Sequence, residues 1–359
     1  MSTITIGVDL AKHLFSVCEM DGAGHVARRQ DLRRDPFGLA LAQLPAGTVV
    51  AMEACSGAHY WARRCEAHGL QPRIIAAQFV TPFRKSSRTK NDRADAEAIA
   101  TAARQGNMRV VPVKSADQQL RLSWHRVREG YKVESLAIGN RIRGLLAEFG
   151  VVVAQSDVAL RRLLSDLEAQ AELPAEFKEL LRDLANHWGE LRMHLDACDA
   201  RIELHARDDE RCVRLRSLVG VGPLTADAAV ATVGNAGEFN NGRQMAAWLG
   251  LVPTQYSSGG HVRLGRISCR GDSYLRTLLI QGARSTLQRA KAVAPEKATP
   301  EQLWIRSLDG RMPFGKVLVA IANKHARQIW AMLARDVDYD PNACLQHPMH
   351  QQNYPAHAA

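Results

Sequence analysis

From Phe177 onward, Phe177, Leu181, Leu184, Trp188, Leu191, Leu195, Cys198 and Ile202 follow one another in unbroken alternating steps of four and three. Only an α-helix returns residues at that spacing to one side, and nearly four heptads of it predict a coiled-coil seam. A preceding helix is predicted over roughly Gln118–Phe149, where Trp124, Val127, Tyr131, Ile138, Ile142, Leu145 and Phe149 form a similar stripe, and Pro174 marks the break between the two. Such helices can pack on each other within one chain, or the seam can serve self-association. Both readings stay open at this point. Residues 111–208 are therefore read as a helical coiled-coil connector.

The first 110 residues have a different period. Thr3–Leu10, Leu14–Met20 and His25–Leu32 are short apolar or β-branched runs, and Asp21-Gly22-Ala23-Gly24 has hairpin-turn composition. Asp35–Leu44 reads as a short helix with Asp35 as N-cap and Pro36 at its first position. Val49–Ala54 is almost purely apolar, as expected of a strand covered on both faces. A helix at Ala58–His68, a strand at Arg73–Ala77 and an alanine-rich helix at Asn91–Gln105 complete an α/β domain with a mixed sheet. Residues 209–338 read as mainly helical with glycine-rich interruptions, and residues 339–359 as a disordered tail.

Asp9 closes the first strand and Glu53 closes the Val49–Ala54 strand. A carboxylate at the end of a buried strand is costly unless a partner offsets its charge, and ligand sites of open α/β sheets lie at the carboxyl ends of strands. Asp92 and Asp95 stand three apart, on one side of a first helical turn. Capping alone explains acids at a helix start; four such acids in this fold pattern point to metal binding. Mg²⁺ prefers hard oxygen ligands, with Mn²⁺ as an alternative. Two such ions about 4 Å apart activate an attacking oxygen and stabilise a leaving oxygen at a phosphodiester. Arg84, Lys85, Arg88, Lys90 and Arg93 form a neighbouring basic run suited to phosphates, or else a solvated loop.

A second constellation is Ser257-Ser258-Gly259-Gly260 followed by Arg263, Arg266 and Arg270. Serine between glycines is ordinarily a turn residue. Arginines behind it that can clamp phosphate give it the surroundings of a serine nucleophile. A third is Val219-Gly220-Val221-Gly222-Pro223, similar to a helix-hairpin-helix turn that offers backbone N–H groups to phosphate, although Val219 stands where that motif has proline. The alternative is a plain helix–helix connection.

The charge balance agrees with a polyanion partner. Residues 257–335 hold 14 Lys/Arg against 4 Asp/Glu, so the chain's formal charge of +10 resides there and the remainder is near neutral. The seven cysteines are scattered with no Cys-x-x-Cys pair, which suits reduced thiols in the cytoplasm. No apolar run approaches the roughly 18 residues of a membrane span, and the N-terminus lacks the features of a signal peptide.

These residues resemble the DEDD transposases of bacterial insertion sequences, in the family numbered one-ten and nearest its subgroup eleven-eleven, relatives of the Piv invertase. The resemblance spans about residues 4–338. It is carried by Ile6-Gly-Val-Asp9, Met52-Glu53-Ala-Cys-Ser-Gly, Lys90-Asn-Asp92-Arg-Ala-Asp95, Asn241-Gly-Arg-Gln-Met-Ala-Ala-Trp248, Ser257-Ser-Gly-Gly260, Ile267-Ser-Cys-Arg-Gly-Asp272 and Ala322-Asn-Lys-His-Ala-Arg327. It implies an RNase H-like (RuvC-like) N-terminal domain, a coiled-coil connector and a C-terminal transposase domain. It assigns the metal-binding tetrad to Asp9, Glu53, Asp92 and Asp95, and a nucleophile to Ser258 or its neighbour Ser257, with Ser258 preferred. It further implies donor and target DNA, a structured guide (bridge-type) RNA, and dimers that pair into tetramers with the active centre completed across subunits. Cys269 stands where the family usually has lysine. The rival reading is a RuvC-like endonuclease that uses activated water and no covalent serine intermediate.

Overall fold

The structure, a computed structural model, describes residues 4–84 and 92–342. The chain divides into two compact units, Met1–Ala116 and Asp117–Ala359. Lys85, Arg88 and Lys90 lie outside the described residues, as does the predicted tail beyond 342.

In the first unit the strands are β1 (Thr5–Asp9), β2 (Leu14–Met20), β3 (Val26–Arg33), β4 (Val49–Glu53), β5 (Gln71–Ile75) and β6 (Val110–Val111). They form one sheet in the order β3-β2-β1-β4-β5-β6. β1, β4 and β5 run parallel, and β2, β3 and β6 pair antiparallel, so the sheet is mixed. Helices α1 (Arg34–Ala42) and α2 (Ala58–Ala67) cover one face; there Phe15, Phe37 and Trp61 meet edge to face with centroids 5.0–5.4 Å apart. A short helix, α3 (Ala77–Val80), leads on to α4 (Asp92–Ala103), which packs on the opposite face through Ala96, Ala98, Ile99 and Ala100. Asp35 is not the N-cap of α1. β3 continues to Arg33 and turns straight into the helix, so Arg33 occupies the cap and Asp35 lies in the first turn.

The second unit is mostly helical: α5 (Ala116–Glu148), α6 (Asp157–Ser165), α7 (Ala175–Asp208), α8 (Glu210–Leu215), α9 (Pro223–Val233), α10 (Gly242–Trp248), α11 (Ser273–Ala292), α12 (Pro300–Asp309) and α13 (Phe314–Arg335). A two-stranded hairpin, β7 (Pro253–Gln255) and β8 (Leu264–Ile267), interrupts it. The heptad residues Phe177, Leu181, Trp188 and Leu191 are buried against Ile138, Ile142 and Leu146 of α5 and Leu160 of α6. α5 and α7 run antiparallel: Phe149 stacks on Phe177 at 4.1 Å and Tyr131 on His194 at 5.2 Å, while Arg128 pairs with Asp199. The seam is thus covered within the chain. Among the described residues no helix is long and apolar enough to cross a membrane.

Candidate functional site

Side-chain alternation along β1 and β4 places the acids. Val8 and Met52 enter the core under α1 and α2, whereas Ala51 packs with α4. Asp9 and Glu53 lie one residue beyond Val8 and Met52, and so belong to the α4 face. β1 and β4 are parallel neighbours in the register Val8↔Met52, which brings both carboxylates to the same end of the sheet. Gly7 lets α4 approach: a Cβ there would stand 2.1 Å from the Ala96 carbonyl oxygen and 2.6 Å from the Ala100 nitrogen. The first turn of α4 carries Asp92 and Asp95.

Carboxylate oxygens of Asp9, Asp92 and Asp95 lie within 4.8 Å of one another. Asp95 is buried, Asp9 half-buried and Asp92 exposed. Glu53 is outside this group of three and joins it through Arg84, whose Nη2 lies 3.3 Å from Glu53 Oε2 and whose Nε lies 2.9 Å from Asp95 Oδ1. Loss of solvation and the negative charge of Asp9 and Glu53 push the nearby Cys55 thiol above its usual pKa. Three hard-oxygen donors converging in an acidic field suit a divalent cation such as Mg²⁺. Of the predicted basic run, Arg84 is thus engaged with acids. Arg93 donates to Asp31 Oδ2 at 2.6 Å, and Arg93 together with Ser16 holds Asp31 below the usual carboxylate range.

Ser257 and Ser258 occupy the tip of the β7–β8 hairpin. The bridge Ser258↔His261 and the hydrogen bond from His261 N to Ser258 O (3.0 Å) close a two-residue turn of Gly259 and Gly260, at φ +55° and +81°. Tyr256 N donates to Arg263 O, and Gln255 pairs with Leu264, in the same register. Successive strand residues face opposite sides. Tyr256, Ser258, His261 and Arg263 therefore share one face, and Gln255, Ser257, Val262 and Leu264 the other. The Ser257 hydroxyl is engaged in the hairpin, accepting from Gln255 Nε2 at 2.8 Å and from Arg263 N at 3.2 Å. Ser258 is exposed and its hydroxyl makes no hydrogen bond among the described residues. The register shifts between the pairs Gln255↔Leu264 and Pro253↔Ile267, so the alternation that places Arg263 on the Ser258 face does not carry through to Arg266. Arg263, Arg266 and Arg270 are all exposed, and none forms an ion pair among the described residues.

The turn at Gly220–Gly222 precedes α9, with Gly222 as N-cap and Pro223 at its start. Gly220 has φ +89°, and a Cβ there would meet Thr286 Oγ1 at 2.3 Å and the Gly282 carbonyl at 2.5 Å, so its glycine is required by packing on α11. Gly222 is exposed with open space around it. α9 also carries a charged centre that sequence reasoning passed over. Fully buried Asp227 accepts from Arg121 Nε at 2.7 Å and from His125 Nε2 at 2.9 Å, and His125 Nδ1 lies 3.0 Å from the Tyr274 hydroxyl. Arg121 Nη1 also reaches Asp209 at 2.7 Å. Burial opposes ionisation of Asp209, but hydrogen bonds from Arg211 and Arg121 outweigh it and hold the carboxyl well below its usual range. Burial pushes the Tyr274 phenol up to about 12. This network ties α11, which follows the serine hairpin, to α5 and α9. A lone carboxylate inside the apolar run Pro223–Val233 was the signal for it.

Comparison with known proteins identifies the family of the chain. Residues 6–151 match a DEDD transposase model of the IS110 group, and residues 212–298 match the model described as Transposase IS116/IS110/IS902 family. A probable family 20 transposase of Pseudomonas aeruginosa is 45% identical over 344 residues, covering 95% of this chain and 100% of that protein. The transposase for insertion sequence element IS1111A of Coxiella burnetii is 37% identical, covering 93% of this chain and 90% of that one. The transposase for insertion sequence element IS1328 of Yersinia enterocolitica is 36% identical, covering 91% and 96%. The chain belongs to the IS116/IS110/IS902 family of insertion-sequence transposases.

Proposed function

We propose that this transposase is an RNA-guided recombinase of the IS1111 subgroup, in which a RuvC-like DEDD site and a serine nucleophile cut and rejoin DNA strands. The observation that carries the reading is that each unit holds a group of complementary chemistry. One is a convergent set of carboxylates at strand ends, and the other is an exposed serine on a hairpin, its hydroxyl without a hydrogen bond and the nearby arginines without ion pairs among the described residues. Asp9, Asp92 and Asp95 would hold Mg²⁺ (or Mn²⁺), with Glu53 entering once Arg84 releases it. Bound there, the metal supplies Lewis-acid stabilisation of charge on phosphate oxygens. The chain's own work is to seat the phosphate on Arg263 and its neighbours and to present Ser258, whose oxygen becomes linked to phosphorus.

Sequence choice is assigned to a structured guide RNA pairing with donor and target DNA, while the basic surface of the second unit engages backbones. The strand order and the acids at strand ends support the RuvC-like reading. For self-association into dimers that pair as tetramers, exposed Val133 and Leu136 of α5 are better placed than the heptad seam, which α5 and α6 already cover. The site of action is chromosomal DNA in the bacterial cytoplasm.

The test is a denaturing gel of full-length protein incubated with Mg²⁺, RNA transcribed from the element's noncoding end, and labelled duplexes carrying the element's ends. Wild type and Ser257→Ala give a protein–DNA adduct, and Ser258→Ala gives none. Strand cleavage that proceeds in Ser258→Ala without any adduct favours the endonuclease that uses water.

A further inference from the structure

The hairpin face that presents Ser258 also presents His261, directly across the two-glycine turn. Residues paired in this way have Cβ atoms about 5 Å apart, and an imidazole at that distance reaches any group bound at the serine oxygen. His261 is exposed, and its imidazole makes no hydrogen bond or ion pair among the described residues. Arg263 follows two residues along the same strand and on the same face. The opposite face carries Ser257, Gln255, Val262 and Leu264, none of them a cation.

We propose that His261 is a phosphate-positioning residue, donating an N–H hydrogen bond to a nonbridging oxygen of the phosphodiester that Ser258 attacks, with Arg263 as the second donor. This rests on the serine reading above. In the step, the Ser258 Oγ–P bond forms and the bond from phosphorus to the leaving deoxyribose oxygen breaks. The hydroxyl proton passes to solvent water, and the leaving oxygen takes one back. His261 neither gains nor loses a proton overall. Its N–H stabilises charge that grows on the nonbridging oxygen as the fifth bond to phosphorus forms.

The experiment follows the initial rate of adduct formation by the full-length protein with Mg²⁺, RNA transcribed from the element's noncoding end, and saturating duplex carrying the element's ends. Donors of this kind are worth on the order of 100-fold in rate. His261→Ala is therefore expected to slow adduct formation by about that factor, with duplex affinity by filter binding changed only severalfold. His261→Lys, which keeps a donor, is expected to retain most of the rate. Replacing one nonbridging oxygen at the scissile phosphate by sulfur, as separated diastereomers, gives the decisive readout. One diastereomer should slow the wild type markedly more than it slows His261→Ala, because the variant has already lost that hydrogen bond. Equal slowing of both proteins by both diastereomers, or an unchanged rate in His261→Ala, overturns the role of His261. An adduct that survives Ser258→Ala, or none with the wild type, overturns the serine reading instead.

Discussion

Replacing Gly7 by alanine adds a single methyl group where β1 meets α4. That methyl would stand 2.1 Å from the Ala96 carbonyl oxygen, 2.6 Å from the Ala100 nitrogen and 2.8 Å from the Ala100 Cβ. Ordinary contact between carbon atoms begins near 3.5 Å, so relief requires α4 to retreat by about 1 Å. The obstructing atoms are mostly backbone, and no rotamer change removes them. Overpacking of this kind costs about 1–3 kcal/mol, or roughly a 5- to 150-fold rise in local opening. Hydrogen exchange of the α4 amides in the full-length protein should report that factor. The same displacement carries Asp92 and Asp95 away from Asp9, and a misplacement of about 1 Å costs a catalytic arrangement on the order of 100-fold. Mn²⁺ affinity and strand cleavage should therefore fall together in Gly7→Ala. Gly106→Ala is the control, since a Cβ there meets nothing within 4 Å. A Gly7→Ala protein with wild-type α4 exchange and wild-type cleavage would refute both the close approach and its link to the acids.

Asp227→Ala should lower the unfolding free energy of the second unit by about 3 kcal/mol, the lower end for breaking a buried ion pair, because Arg121 keeps Asp209 as a partner, and urea unfolding should show it as a lower midpoint. His325 is almost completely buried; loss of solvation, opposed by Glu301 and aided by Lys324, lowers its pKa from 6.5 to about 4. Between those values the unfolded chain binds a proton that the folded chain does not, so stability falls as pH drops from 6.5 toward 4, by up to about 3 kcal/mol. Urea midpoints at pH 7.5, 6 and 5 should show this slope, and His325→Gln should flatten it. Gly130 sits inside α5 with open space around it, so Gly130→Ala should raise stability by about 0.5–1 kcal/mol, measured as an increase in Tm.

The first unit was readable because its strands are long enough to show a period and end on acids that have no structural reason to be there. The two-residue β6 and the short β7–β8 hairpin offer too few residues for any period to emerge. The sides on which the arginines lie were unreadable for the same reason, because the hairpin is short and its register shifts between Gln255↔Leu264 and Pro253↔Ile267. The Gly259-Gly260 pair was the available clue, since a two-residue glycine turn fixes hairpin register and with it the face of every flanking side chain. The role of Arg84 could not be read from sequence at all. A cation in a basic run looks like a phosphate ligand, and only the fold shows it seated between Glu53 and Asp95.

The same placement bears on where a polyanion can be held. A phosphate beside Asp9, Asp92 and Asp95 meets like charge, and Arg84, a cation beside them, is already engaged with two carboxylates. In the second unit, much of the basic excess is likewise engaged. Lys291 pairs with Asp309, Lys324 with Glu301, and Arg306 donates to the carbonyls of Ala290 and Lys291. Such groups are held by the fold and offer little to a mobile chain of phosphates. Arg263, Arg266 and Arg270 differ in being exposed and, among the described residues, free of ion pairs, and Arg263 shares the hairpin face of Ser258, whose hydroxyl the hairpin does not use. Net charge thus overstates the binding surface, and the distribution of ion pairs narrows it. The cations left to meet a phosphodiester backbone include those beside Ser258, where the proposed nucleophile needs one held still.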